Sequence, residues 1–148
     1  MSNIDDPTSV TLKCPALSIR SPLVLCIDDD PQVAEIIQDR LDVYGVKVLS
    51  AYDGMQGLWR AAMHKPDVII TDLRMPMGDG SIIIECLKRN EKTASIPIIV
   101  LTAKSEPGLQ SRMEKIGANS FLTKPILFND LLEELRRYIK VQPKEEEG

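Results

Sequence analysis

Three consecutive carboxylates, Asp28-Asp29-Asp30, stand directly behind the apolar run Leu23–Ile27. Three other apolar runs also end in reactive side chains. Val68–Thr71 runs into Asp72, Ile98–Leu101 ends in Thr102, and Phe121-Leu122-Thr123 ends in Lys124-Pro125. Two carboxylates about 4 Å apart repel by roughly 4 kcal/mol at an effective dielectric near 20, so an acidic cluster needs solvent, a lysine, a proton or a metal beside it. Two or three carboxylates with no His or Cys partner make an oxygen-only donor set, which suits a hard cation, with Mg2+ the natural choice. One carboxylate could then attack a phosphoryl group to form an acyl phosphate, with Lys124 and the Thr102 hydroxyl contacting the phosphoryl oxygens. Each residue also has a plain structural use. The triplet could cap a helix starting at Pro31, Asp72 could cap a loop, Thr102 could be a strand-end hydroxyl, and Lys124 could simply face solvent.

These side chains converge only if the chain places them on one rim. The apolar runs rich in β-branched residues are Leu23–Ile27, Val46–Leu49, Val68–Thr71, Ile98–Leu101 and, most weakly, Ser120–Leu122. Between them lie segments with helical spacing. Val33, Ile36, Ile37, Leu41 and Tyr44 mark the first, which closes at Gly45. Leu58, Ala61 and Ala62 mark the second, starting at Asp53, and Ile83, Ile84 and Leu87 mark the third, starting at Ser81. Leu109, Met113 and Ile116 mark the fourth, with Pro107 in its first turn and Gly117 at its end. Asn129 or Asp130 is expected to cap the fifth, whose buried face is Leu131, Leu132, Leu135 and Ile139. Strict strand–helix alternation predicts an α/β fold, a parallel sheet with helices on both faces. In such sheets ligands sit beyond the carboxyl ends of the strands.

A chain of 148 residues fits one domain with a sizeable core, and 43% hydrophobic and 27% charged residues are ordinary for a globule. A net charge of −4 argues against nucleic acid as the main partner of this domain, and the pair Arg136-Arg137 reads as a solvated face. Cys14, Cys26 and Cys86 lack metal-site spacing; Cys26 and Cys86 read as small core residues in a reducing, cytoplasmic setting. No run is long enough to span a bilayer. Residues 1–20 are expected to be a flexible extension, although Val10, Leu12 and Cys14 alternate as an edge strand would. Residues 142–148 read as a tail or the start of a linker. His64, placed in a loop before Lys65-Pro66, receives no role.

Four blocks in this order resemble the receiver domain of two-component response regulators. They are Val24-Leu25-Cys26-Ile27-Asp28-Asp29-Asp30-Pro31, Pro66 through Pro76, Ile96 through Ala103, and Gly117 through Pro125, within a domain of residues 21–141. The resemblance implies a single doubly wound (βα)5 domain of strand order 2-1-3-4-5. It implies that Asp72 is the phosphoacceptor, that Asp29 binds Mg2+ directly and Asp28 largely through water, and that the main-chain carbonyl of Arg74 completes the protein ligands. Lys124 is then the partner of Asp72 and of its phosphoryl group. Thr102 and Phe121 form a switch pair acting on the face made by the fourth helix, fifth strand and fifth helix, and the small Ala103 leaves a path to the site. A sensor histidine kinase or a phosphotransfer protein is the implied donor, with a downstream output domain or protein and a homodimer through the switch face as further partners. No membrane or nucleic-acid contact by this domain is implied. One departure stands out: Gly78, in Pro76-Met77-Gly78-Asp79-Gly80, occupies a usually apolar position, so the loop after Asp72 is expected to differ in shape or stiffness.

Two other functions compete. An unphosphorylated, receiver-like binding adaptor is expected to lack one of the acidic residues, the threonine or the lysine, and none is lost here. An aspartate-nucleophile phosphatase wants a second carboxylate two residues after the nucleophile, which Asp72-Leu73-Arg74 lacks; Asp28-Asp29-Asp30 has that spacing but not the threonine or valine expected after it. The chain is expected to be a stand-alone receiver or the receiver part of a longer regulator, and Val141–Gly148, which reads like the beginning of a linker, favours the second.

Overall fold

The computed structural model describes residues 20–75 and 78–144. Five parallel strands and five helices alternate along the chain: β1 Leu23–Ile27, α1 Pro31–Leu41, β2 Lys47–Ala51, α2 Gly54–His64, β3 Val68–Thr71, α3 Gly80–Arg89, β4 Ile98–Thr102, α4 Leu109–Ile116, β5 Ser120–Thr123 and α5 Phe128–Arg136. The strand order is 2-1-3-4-5, as expected. Between β3 and α3, Arg74 and Met75 pair antiparallel with Asp79 and Gly78. The loop after Asp72 is therefore drawn into a small ladder, and Gly78 lies within it.

Alternation along each strand divides the core in two. Val24, Cys26, Ile70, Ile99 and Leu101 face one side, where α1 and α5 supply Val33, Ile37, Leu41, Leu131 and Leu135. Leu25, Ile27, Ile69, Ile98 and Val100 face the other, against Ala61, Ile84, Leu87, Leu109 and Met113 from α2, α3 and α4. Burial on both faces explains the uninterrupted apolar runs of β1, β3 and β4. At Gly57 the lack of a side chain lets α2 press onto β1: a Cβ there would lie 2.5 Å from Ile27 Cδ1.

Several helix details depart from the spacing. Ile36 is half exposed and Ala34 is buried instead, because α1 rolls toward the 33-34-37-41 face. Cys86 is exposed, not a core residue: α3 buries Gly80, Ile84 and Leu87, and position 86 lies about 200° around the helix from Ile84. Pro107 falls outside α4, because Gly108, at φ 79°, separates the preceding turn from the helix. Neither Asn129 nor Asp130 caps α5. The Leu127 carbonyl accepts from the Asp130 and Leu131 amides at 3.0 and 3.1 Å, so both residues lie inside the first turn. Ile139 lies beyond the end of α5 but still packs against the core. His64 is the last residue of α2, not a loop residue, its ring edge-on to Trp59 at 6.4 Å.

Arg20 is tied to Asp67 at 2.9 Å, and the Lys144 amide donates to the Val43 carbonyl at 2.8 Å. The expectations for Val10, Leu12 and Cys14 lie outside the described residues, as do those for residues 145–148.

Candidate functional site

The backbone ladder of the sheet continues one residue past the strands and fixes three reactive residues. The Asp28 amide donates to Ala51 O at 2.9 Å, the Asp72 amide to Ile27 O at 3.0 Å, and the Lys124 amide to Thr102 O at 2.9 Å. Each side chain is thus held by its neighbouring strand as well as by its own. The Lys124–Pro125 peptide bond is cis.

The side chains then lock together. Lys124 Nζ donates to Asp28 Oδ2 at 2.7 Å and to Asp72 Oδ2 at 3.1 Å. Asp28 Oδ1 accepts the Asp30 amide at 2.9 Å, so both of its oxygens are engaged. Asp72 Oδ1 accepts the amides of Leu73 and Arg74 at 2.7 and 3.1 Å. Asp28 is 4% exposed and Asp72 6%. Such buried carboxylates require donors on their oxygens, and these have them. Asp29 is exposed beside them, and Asp28, Asp29 and Asp72 each offer an oxygen within 4.8 Å of the others. Asp30 leaves the cluster to cap α1, accepting the Gln32 amide at 3.0 Å.

Burial raises the Asp28 pKa above its ordinary value, helped by the charge of Asp72 and opposed by the Lys124 and Asp30 hydrogen bonds. Burial also works against the Lys124 ammonium, but its hydrogen bonds and charge pairing with Asp28, and then Asp72, carry its pKa upward overall. Beneath them the Cys26 thiol is pushed up to about 12, chiefly by burial and then by Asp28, which leaves it protonated and inert.

Thr102 and Phe121, on the neighbouring strands β4 and β5, lie outside this lock. Thr102 is wholly buried at the end of β4, and its Oγ1 accepts the Lys104 amide at 3.1 Å. Phe121 is half buried and lines two adjoining hollows of about 350 and 500 Å³. The β4–α4 loop carries its own cluster, with Glu106 between Arg112 at 3.0 Å and Lys104 at 3.3 Å. The Arg112 hydrogen bond, followed by that of Lys104, holds the Glu106 carboxyl below its ordinary range.

Two contributors escaped the sequence reading. Lys104 enters through its backbone amide, which no side-chain pattern reveals. Gly80 offers no side-chain pattern either, yet a Cβ there would sit 2.6 Å from the Asp72 carbonyl oxygen, so only glycine lets α3 start this close.

The oxygen-only donor set fits a hard divalent cation: among the described residues three carboxylates share one space, with no His or Cys in the set and Lys124 paired to two of them. The same geometry presents a carboxylate, Asp72, with an ammonium already against it.

The family model of the response regulator receiver domain matches residues 24–136. The DNA-binding dual master transcriptional regulator RpaA of Synechocystis is 35% identical over 121 residues, covering 80% of this chain and 49% of that protein. The transcriptional regulatory protein KdpE of Mycobacterium tuberculosis is 36% identical over 118 residues, covering 80% of this chain and 51% of that protein. The chain thus spans about half the length of these relatives. Among solved structures, the chemotaxis protein CheY4 of Vibrio cholerae superposes with a TM-score of 0.75 at 28% identity, covering 81% of this chain and all of that one.

Proposed function

The chain belongs to the response regulator receiver domain family, and from that premise we propose that Asp72 is its phosphoacceptor. A carboxylate oxygen of Asp72 attacks the phosphorus of a phosphohistidine on a sensor histidine kinase or phosphotransfer protein. The P–N bond breaks, the O–P bond forms, and an acyl phosphate results. The observation that carries this reading is the Lys124 ammonium held between Asp28 Oδ2 and Asp72 Oδ2. That cation is already in position to stay with the added negative charge.

Mg2+ would be held by Asp29, Asp72 and the main-chain carbonyl of Arg74, supplying charge neutralisation at the phosphoryl oxygens. Asp28, which holds Lys124 and the Asp30 amide, would act on the ion largely through water. The exposed Ala103 leaves the approach from solvent open to donor and hydrolytic water, so the domain would promote both its own phosphorylation and its dephosphorylation.

The phosphoryl group brings a charge of about −1.5 to −2. It would draw the Thr102 hydroxyl from the Lys104 amide, and Phe121 would turn inward, reshaping the α4–β5–α5 face for a downstream output domain, a partner protein or a second copy. This is a local electrostatic event biasing a two-state element. Among the described residues no helix is long and apolar enough to cross a membrane; a kinase donor of this class implies a cytoplasmic site of action.

A small acyl-phosphate donor with Mg2+ is expected to add one phosphoryl group to the wild type, read by intact mass. Absence of that adduct would falsify the proposal, and labelling retained in Asp72→Asn would refute the site. The adaptor reading survives only if divalent binding proves independent of Asp29.

A further inference from the structure

β2 is an edge strand, bonded to β1 on one side only. The Lys47 amide and the Ala51 carbonyl face β1, bonding Pro22 O and the Asp28 amide at 2.9 Å each. By alternation, the backbone groups of Val46, Val48, Ser50 and Tyr52 point away from the sheet. An open row of this kind is a template for pairing with another extended chain.

Here much of the row is already occupied by side chains. Gln38 of α1 spans two positions: its Oε1 accepts the Val48 amide at 3.0 Å and its Nε2 donates to Val46 O at 3.4 Å. Arg60 of α2 donates through Nη1 to Ser50 O. Gln56 Oε1 accepts the Tyr52 amide at 2.8 Å. Two helices on opposite faces of the sheet thus reach around the same edge. Steric cover does not explain this. A groove of about 540 Å³ runs between α1 and β2, lined by Ile36, Gln38, Val48, Ser50 and Tyr52, and it leaves room for an extended segment. What that segment would lack is the four backbone groups that side chains already hold.

We propose that Gln38, Gln56 and Arg60 act as a substitute neighbour strand, closing the β2 edge against strand addition by a second copy of this chain. Amide side chains suit the task because each supplies both a donor and an acceptor, as a backbone unit does. The arrangement also steadies the rim. Ala51, the last residue of β2, holds the Asp28 amide, so a chain pairing with β2 would pull on a strand that positions the acidic cluster.

The test uses the full chain, unphosphorylated, and Gln38→Met/Arg60→Met, which keeps the side-chain stems and removes the hydrogen bonds. Gln56 stays, because its Oε1 holds the Tyr52 amide directly before the α2 cap residue Asp53. Light scattering over a concentration series is expected to show self-association strengthened by ~100-fold or more, since the three freed backbone groups, Val46 O, the Val48 amide and Ser50 O, become available for pairing. In dilute solution the Val48 amide should exchange ~10-fold faster than in the wild type, while the Leu49 amide, which faces β1, should not change. At high concentration the Val48 and Ser50 amides should become protected. Gln38→Met alone, read only at Val48 and Leu49, keeps the test open if the double variant folds poorly. Unchanged association and unchanged Val48 exchange would overturn the proposal, as would association that leaves Val48 and Ser50 exchanging freely.

Discussion

The rim beyond the strand ends has two halves, and they are built on different terms. In the acidic half, Asp28, Asp72 and Lys124 are joined by backbone hooks, two short ion pairs and three amide donors. In the hydroxyl half, Thr102 holds one loop amide, and Phe121 is half buried beside two hollows. The first half is preorganised for charge, and its side chains have nowhere to go. The second has a hydroxyl with a single, exchangeable partner and a ring with space around it. A site that must receive a group and then report it needs both kinds of construction.

The sharpest break targets the preorganised half. Asp72→Asn keeps an oxygen to accept the Leu73 and Arg74 amides, so the fold should persist while phosphoryl uptake from a small donor falls to background. Lys124→Met should come next. It strands two carboxylates that are almost fully buried, and truncating one partner of a buried pair costs about 3 kcal/mol. Chemical denaturation with a chelator present should show that loss, and Mg2+ should recover part of it by replacing the missing positive charge. An unchanged midpoint under both conditions would show that the half is not held together by charge.

Asp28 sharpens the comparison through pH. Its native pKa is raised above 3.8, so it binds its proton more readily folded than unfolded. Its cost to stability is absent below 3.8, grows as pH rises through the native value, and is complete above it. Lys124 has the opposite sign and another window: its contribution is full below 10.5 and is lost as pH climbs through its raised native value. Asp28→Asn, measured with a chelator present, should therefore flatten the slope of stability against pH on the acid side. The same change should weaken Mg2+ binding. Stability unaltered between pH 4 and 8 in both proteins, a window of about the usual titrations, would sink this account.

Much of the acidic half was legible in sequence because a buried strand gives a strong signal and ends abruptly. Val68–Thr71 is buried throughout, so a carboxylate in the next position must lie at the rim. Thr102 closes the equally buried β4, whereas Lys124 follows a strand that is only partly buried and gives a weaker signal. The hydroxyl half was less legible because its contacts run through backbone. The Lys104 amide on Thr102 and the Leu127 carbonyl that opens α5 depend on loop geometry, which side-chain spacing does not encode. Helix rotation was the other gap. Ile36 and Cys86 are apolar by composition, and only the direction in which α1 and α3 roll onto the sheet decides that they face solvent. Gly80 illustrates a third: a close approach between a helix start and the Asp72 carbonyl is a distance, and a glycine in sequence does not say what it approaches.

The smallest expected effect on phosphorylation, and the most telling, comes from Thr102. Thr102→Val preserves the shape and burial of the residue but removes the acceptor from the Lys104 amide. The acidic half is untouched, so phosphoryl uptake at Asp72 should change by no more than about threefold, well below one charged hydrogen bond in energy. The loop from Ala103 to Gly108 should loosen instead, because Lys104 loses its anchor while its salt bridge to Glu106 stays in the loop. Amide exchange at Lys104 should therefore be fast in this variant before phosphorylation, and phosphorylation should no longer accelerate it. In the wild type the same amide should be protected at rest and released when the phosphoryl group claims the hydroxyl. If phosphorylation leaves Lys104 exchange unchanged in the wild type, the hydroxyl does not move, and the two halves are coupled by some route other than Thr102.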